Sequence, residues 1–181
     1  MSGLDRSEYE SLRATIARRG TIRPVLMVAG LTAWGALLLA VLVWLSYPLG
    51  SVIPLLILFA TFEAVRALHF GTERIGRYLQ VFYEEVEGKP LKEPPSWERT
   101  AMIFGPSVPG ASGNPLFTEV LGIATAINYL AVVMPRPVVL EVVYLTLPHA
   151  AFLIWMLKNK RDMKSQRATE LARYRSLRDS A

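Results

Sequence analysis

Four long stretches of the chain are almost free of charged residues, whereas charges are frequent before, between and after them. The stretches cover residues 24–45, 51–70, 116–134 and 138–157. A helix rises about 1.5 Å per residue, so about 20 apolar residues cross the ~30 Å hydrocarbon layer of a bilayer. The pattern therefore predicts an all-α, polytopic membrane protein with four transmembrane helices.

Two short breaks divide these stretches into pairs. The first break, residues 46–50, contains Pro48, and the second contains Pro135 and Pro137. Proline loses a helical hydrogen bond and clashes with the preceding turn, so both breaks are predicted to be tight turns. We therefore expect two helical hairpins. Ser51 is predicted to cap the second helix, because serine oxygens accept hydrogen bonds from the first free N–H groups.

The basic residues predict which way the hairpins face. Five precede the first stretch, five lie between the second and third, and eight follow the fourth, so these regions hold 18 of the 20. Of the remaining two, Arg136 lies in a predicted outer turn. Cytosolic loops carry the positive excess in membrane proteins, so both termini and the central loop are predicted to be cytosolic. This orientation accounts for the net charge of +5, and we predict no nucleic-acid partner.

The helical pattern continues beyond the apolar stretches. Residues 1–23 form a predicted cytosolic amphipathic helix that Gly20 and Pro24 end, since these residue types commonly stop helices. The second transmembrane helix is predicted to continue to about residue 87. After the last stretch, residues 158–181 form a predicted basic cytosolic helix. The fold is thus expected to be a transmembrane domain, residues 24–157, with helical cytosolic extensions.

An apolar stripe marks the extension of the second helix. Ile75, Leu79, Phe82 and Val86 recur at helical spacing opposite charged residues. Such a stripe outside the membrane is a candidate docking surface for a partner or another helix. The residues that follow, 88–115, are rich in proline, glycine and serine, which is typical of a linker.

Polar residues at membrane depth are costly, so they mark candidate functional sites. Four are singled out as a candidate intramembrane polar site: Glu63, Arg66, Asn128 and His149. Counted from the outer helix ends, Glu63 lies about 18 Å deep and His149 about 16 Å, which predicts a shared level. Glu63 and Arg66 are three residues apart and can pair on one helix face. The pair is either a structural ion pair or, with His149, part of a path for ions or protons.

Small residues recur four apart on two of the predicted transmembrane helices, where they favour close helix contacts, either within the chain or with a partner subunit. The pairs are Ala29 with Ala33, Ala36 with Ala40, and Gly122 with Ala126.

The chain offers little for catalysis. It has no cysteine, which excludes thiolate chemistry and cysteine-bound metals. It shows no hydrolase, metalloprotease or phosphate-loop motif. The sequence predicts no metal and no cofactor, and it favours a non-enzymatic protein while leaving an intramembrane enzyme as a third class.

Two function classes remain in competition. The favoured one is an accessory, assembly or interaction subunit of a larger membrane complex, because long helices extend from a small apolar body. The alternative is a small oligomeric transporter or channel that uses Glu63, Arg66 and His149. The expected partners are the lipid bilayer with either other membrane subunits or further copies of the chain. Arginine outnumbers lysine and eukaryotic sorting motifs are missing, so a bacterial inner membrane is the expected location.

Overall fold

The computed structural model describes residues 3–44, 48–85, 116–135 and 139–180, and within these ranges the chain is almost entirely helical with no strand. This confirms the all-α prediction. The elements are α1, Gly3–Trp44; a 3-10 turn, Pro48–Ser51; α2, Val52–Leu79, which continues as a π-helical segment, Gln80–Glu84; α3, Phe117–Val133; and α4, Val139–Asp179.

Three of these helices are long and apolar enough to cross a membrane. The candidate spans are Arg6–Trp44 of α1, Val52–Glu84 of α2 with its π-helical end, and Val139–Met163 of α4. Helix α3 is also apolar but has only 17 residues. The length and apolar composition of these three helices fit a membrane protein.

Helix α1 does not stop where the sequence predicted. It runs without interruption from Gly3 to Trp44, with Pro24 inside it. The predicted end of the N-terminal helix at Gly20 and Pro24 is therefore wrong. A proline leaves the carbonyl four residues earlier unbonded and crowds it. In α1 that carbonyl belongs to Gly20, whose backbone adapts more easily than that of any other residue.

The chain divides into two compact units along these helices. In the described residues, the apolar unit comprises 24–44, 48–66, 116–135 and 139–160. The polar unit comprises 3–23, 67–85 and 161–180. The boundary on α1 falls between Arg23 and Pro24, where the charge-free stretch begins. Helices α1, α2 and α4 each contribute to both units.

Aromatic packing forms the core of the apolar unit. Phe62 of α2 is fully buried, and its ring centroid lies 5.7 Å from that of Phe117 on α3 and 5.9 Å from that of Phe152 on α4. Helix α1 approaches α2 closely at Gly30, where a Cβ atom would overlap the side chain of Thr61. These contacts join all four helices in one unit.

The outer surface of the apolar unit is strongly hydrophobic, and large apolar side chains are exposed on every helix. They include Val28, Leu39 and Val43 on α1, Leu56 and Phe59 on α2, Ile123 and Ile127 on α3, and Leu147 and Ile154 on α4. Soluble monomers rarely expose apolar surface on this scale. A lipid environment explains it without further assumption.

Most of the small residues singled out on α1 lie away from its close contact with α2. Ala29, Ala33 and Ala36 are exposed, and Gly30 makes the close approach to Thr61 instead. The buried residues of α1, such as Leu38, follow the register of Gly30 rather than that of the alanines, so of the two alternatives for the alanine pairs, contact with a partner subunit stays open.

Candidate functional site

A buried amide on α3 connects four parts of the apolar unit. Asn128 is fully buried. Its Nδ2 donates to the backbone oxygen of Ser51 at 3.0 Å and lies 2.9 Å from Nε2 of His149 on α4. Its Oδ1 accepts from Nε1 of Trp34 on α1 at 3.2 Å. We call these four residues the asparagine cluster.

The hydrogen bonds fix the protonation of His149. Its Nδ1 lies 2.7 Å from the backbone oxygen of Leu145, and a carbonyl oxygen only accepts, so Nδ1 carries the hydrogen. Nε2 then accepts from the Asn128 amide, which uses its other hydrogen on Ser51. In this arrangement each hydrogen-bond donor faces an acceptor. A proton on Nε2 would oppose the amide hydrogen, so the cluster holds neutral His149.

Ser51 takes part in a way that the sequence did not indicate. Its backbone oxygen accepts from Asn128, whereas its buried hydroxyl has no hydrogen-bond partner. The predicted capping of α2 by this hydroxyl is therefore wrong. Ser51 ends the 3-10 turn that packs against α3, and this turn directs the Ser51 carbonyl toward Asn128.

A second polar cluster joins α2 to α4. Arg66 forms an ion pair with Glu63, and its Nε donates to Glu63 Oε2 at 3.1 Å. The indole of Trp155 donates to Glu63 Oε1 at 2.8 Å. Arg66 also donates to Asn159 Oδ1 at 3.0 Å. The contact that the i,i+3 spacing predicted is confirmed, and both carboxylate oxygens of Glu63 are occupied. We call these four residues the ion-pair cluster.

The candidate site predicted from the sequence thus divides into two clusters. Asn128 and His149 belong to one, and Glu63 and Arg66 to the other. Glu63 contacts Trp155, which lies six residues further along α4 than His149. Six helical residues correspond to about 9 Å. The assumption that Glu63 and His149 share one level is therefore wrong, because counting from helix ends ignored the offset between α2 and α4.

The ion-pair cluster is less enclosed than the asparagine cluster. The side chains of Glu63 and Arg66 are 29% and 25% exposed, whereas Asn128 is 0% and His149 3% exposed. A further ion pair, between Lys160 of α4 and Glu119 of α3, is also half-exposed. Charged groups in this unit thus keep partial access to the surroundings, and the fully buried groups are uncharged.

Charged contacts dominate the polar unit. Arg77 of α2 is buried and pairs with Glu170 of α4 and, at 3.6 Å, with Glu73. Near the end of α2, Glu85 accepts from Arg175 Nε at 3.0 Å and Nη2 at 2.9 Å. These ion pairs join α2 to α4.

The ion pairs also lower the pKa values of two carboxyl groups in this unit. Hydrogen bonds from Arg175 are the main reason that the pKa of Glu85 lies below its ordinary value, outweighing the opposite effect of burial. For Glu170, burial is the largest single influence and raises the pKa, but hydrogen bonds from Gln166 and Arg77 among others lower it overall. Both carboxylates are therefore held in the charged form.

A tyrosine pair binds the N-terminal part of α1. The hydroxyl of Tyr78 donates to Glu8 Oε1 at 3.1 Å, and that of Tyr83 donates to Glu8 Oε2 at 2.8 Å. Residues five apart lie about 140° apart around an α-helix, so periodicity did not suggest this pair. The π-helical segment Gln80–Glu84 includes Tyr83 and turns less per residue than an α-helix, which reduces the angle between the two tyrosines.

The predicted docking stripe is mostly an internal contact of the polar unit. Leu79 is fully buried, and the ring of Phe82 lies 6.4 Å from that of Tyr174 on α4. Ile75 is half-buried. Val86 lies outside the described residues, as do the predicted linker 88–115 and residues 136–137 of the second predicted turn. Leu79 therefore has no surface to offer a partner in this conformation.

Within the ranges that the structure describes, no three histidine, aspartate or glutamate side chains are grouped closely enough to hold a metal ion. Each cluster instead consists of donors and acceptors that bind one another. Such an arrangement stabilises and orients helices, and it presents no activated nucleophile or paired carboxylates for acid–base chemistry.

No protein family model matches the chain, and no curated protein or solved structure matches it either. Its function therefore has to follow from its own residues.

Proposed function

We propose that this chain is a non-enzymatic integral membrane protein that serves as an accessory, assembly or interaction subunit of a larger membrane complex. The observation that carries this proposal is the mutual pairing of the buried polar groups in the apolar unit. Asn128, His149 and Trp34 bind one another, and Glu63 binds Trp155 and Arg66. Such groups hold helices together, which is what a structural subunit requires.

The same pairing disfavours the transporter alternative. A proton carrier needs a group that gains and loses a proton, but both nitrogens of His149 are occupied in its neutral form. A substrate site needs polar groups left over for the substrate, and both oxygens of Glu63 already accept hydrogen bonds. The separation of these residues into two clusters also removes the continuous polar path that the alternative needs.

Helix α1 is the best candidate for contact with a partner subunit. In its most apolar 18-residue stretch 11% of the residues are buried, against 39% for the corresponding stretch of α2 and 22% for that of α4. Its exposed Ala29, Ala33 and Ala36 would let a second helix approach the backbone closely, as small residues do in membranes.

The proposed topology has four spans in two hairpins, with both termini cytosolic, in a bacterial inner membrane. It is supported by the charge distribution and by the apolar α3, whose 17 residues reach the lower end of the range for a transmembrane helix. The chain has no cysteine, so single cysteines can be labelled without background. Those introduced at Ser46 and Arg136 should react with an impermeant reagent from outside, whereas one at Ser176 should not.

Site-specific photo-crosslinking tests the proposed function. A photoreactive residue at Ala33 of α1 should yield one defined cross-linked polypeptide in the native membrane. The same residue at Ile123 of α3, which is also exposed, serves as the control for random collisions. Products that contain only this chain, together with a symmetric homo-oligomer that encloses a water-filled cavity, would contradict the accessory role and favour the transporter.

A further inference from the structure

Two arginines on α1 lie where the charge-free part of that helix begins. Arg19 and Arg23 are four residues apart, so they occupy one face of α1, and the charge-free stretch starts at Pro24. Nη1 of Arg23 lies 2.9 Å from Nδ1 of His69 on α2. The guanidinium of Arg19 lies over Gly71, where a Cβ atom would overlap it. Both arginines are thus directed at the same short segment of α2.

The arginine–histidine contact assigns the roles of its atoms. A guanidinium has only donors, so Nδ1 of His69 accepts and the imidazole is neutral. His69 is buried, with 3% of its surface exposed, and it therefore fixes the position of Arg23 without neutralising its charge. His69 is a positioning residue for Arg23.

Neither arginine has an acidic partner within the described residues. This distinguishes them from Arg77 and Arg175 in the same unit, which pair with glutamates. Two like charges four apart on a helix destabilise it slightly, and each guanidinium offers five N–H donors. Among the described residues, no carboxylate therefore offsets the charge of this pair, and an anion would do so.

We propose that Arg19 and Arg23 form a binding site for the phosphate group of an anionic phospholipid. Guanidinium groups match phosphate in geometry and charge, and basic pockets between membrane helices bind lipid headgroups. The position of Arg23, directly before the charge-free stretch, corresponds to the level of the headgroups when that stretch lies in the hydrocarbon layer. A lipid is favoured over a soluble anion for this reason. The site does not depend on the proposed accessory role.

The test measures lipid binding to the full-length chain in a neutral detergent. Native mass spectrometry records bound dioctanoyl phosphatidylglycerol over a concentration series, with dioctanoyl phosphatidylcholine and inorganic phosphate as separate titrations. The wild type should bind phosphatidylglycerol most tightly. Arg19→Gln and Arg23→Gln should each weaken this binding about tenfold, the loss expected for one charge-assisted hydrogen-bonding group.

Two further variants separate a specific site from general attraction. Arg18→Gln removes the same charge from the adjacent residue, which is exposed, and should leave the affinity within about twofold of the wild type. Gly71→Ala changes no charge but places a methyl group where the Arg19 guanidinium lies, so it should weaken binding. Thermal unfolding of each variant without lipid checks that it is folded.

Several outcomes would overturn the proposal. Equal losses for Arg18→Gln and Arg19→Gln would mean that lipids respond only to total charge. Full affinity in folded Arg19→Gln and Arg23→Gln variants would exclude the site. Inorganic phosphate that binds as tightly as phosphatidylglycerol, with the same dependence on both arginines, would identify a soluble anion as the ligand instead.

Discussion

The apolar unit and the polar unit are built from the same three long helices, yet different interactions stabilise them. In the apolar unit the polar contacts around the buried Asn128 join uncharged groups, an amide, an indole and an imidazole. In the polar unit the contacts between α2 and α4 are mostly carboxylate–guanidinium pairs such as Glu85 with Arg175. Uncharged groups need only hydrogen bonds when they leave water, whereas buried charges carry a large desolvation cost. The comparison indicates that the same helices use hydrogen bonds between uncharged groups in the apolar unit and ion pairs in the polar unit.

The largest loss of stability is expected for a substitution of Asn128, at the centre of the apolar unit. Asn128→Leu leaves the indole of Trp34, the carbonyl of Ser51 and Nε2 of His149 without their partner. Buried groups that lose a hydrogen bond cost about 1–3 kcal/mol each, although membrane proteins often lose less. We expect a loss of about 2–4 kcal/mol of unfolding free energy, measured in mixed micelles with increasing denaturing detergent.

An exposed hydrogen bond in the same unit supplies the control for this prediction. The hydroxyl of Thr146 on α4 lies 2.8 Å from that of Tyr129 on α3 and is exposed. Thr146→Val should cost about 0.6 kcal/mol, the average for membrane hydrogen bonds. Similar losses for Asn128→Leu and Thr146→Val would contradict the central role of the asparagine cluster.

The next loss of stability is expected at the Glu63–Arg66 ion pair of α2, which hydrogen bonds to Trp155 and Asn159 connect to α4. Glu63→Gln or Arg66→Leu alone leaves the other residue without its main partner. Breaking a buried pair costs about 3–5 kcal/mol, and partial exposure reduces this, so we expect about 2 kcal/mol for each single change.

The double variant decides whether the pair is structural. Glu63→Gln with Arg66→Leu should be milder than either single change, as a double-mutant cycle would measure. Additive losses would show that the two residues act independently. A double variant as stable as the wild type but biologically inactive would make the cluster functional and would favour the transporter alternative.

The sequence predicts much of the helical pattern because charge and periodicity are local properties. The extension of the second helix beyond the apolar stretch and the continuous last helix are present in α2 with its π-helical end and in α4. The break near Pro24 is absent, because proline lowers helix stability without forbidding a helix. The Glu63–Arg66 contact was predictable, since both residues lie on one helix. The number of spans, their hairpins and their orientation stay predictions.

The contacts between helices were much less predictable. Asn128 binds a backbone carbonyl of Ser51, and any residue can supply a carbonyl, so no side-chain pattern marks it. The pairing of Glu63 with Trp155 depends on how far α4 is shifted along α2, which periodicity does not report. The tyrosine pair depends on a π-helical segment that a 3.6-residue period cannot reveal.

A smaller effect, confined to the polar unit, depends on pH. The pKa of Glu85 is lowered, chiefly by Arg175. A carboxyl group whose folded-state pKa is depressed stabilises the fold fully above its unfolded pKa, about 4.3, and this contribution is lost as pH falls through the folded value. The wild type should therefore exceed Glu85→Gln in stability by roughly 0.5–1 kcal/mol at pH 6.

This difference between wild type and Glu85→Gln should shrink as the pH falls through the lowered folded-state pKa of Glu85, because the wild-type carboxyl group then becomes protonated as well. Thermal unfolding from pH 7 to pH 3 measures it, and Asn128→Leu serves as the comparison from the apolar unit. The loss caused by Asn128→Leu should stay constant over the range of Glu85 titration. A difference for Glu85→Gln that is already absent at pH 6 would show that Arg175 does not stabilise the charged carboxylate.

The smallest effect is expected at the tyrosine pair, and it tests whether the π-helical segment shapes the polar unit. Tyr78→Phe and Tyr83→Phe each remove one hydroxyl from Glu8 without changing the ring packing, so each should cost about 0.5 kcal/mol, the lower range for one hydrogen bond. Amide exchange of residues 7–10 should accelerate about twofold in each variant. The double variant should accelerate exchange to the level of Glu8→Ala, because Glu8 then has neither hydroxyl to bind. Acceleration in only one single variant would mean that the two tyrosines do not bind Glu8 together.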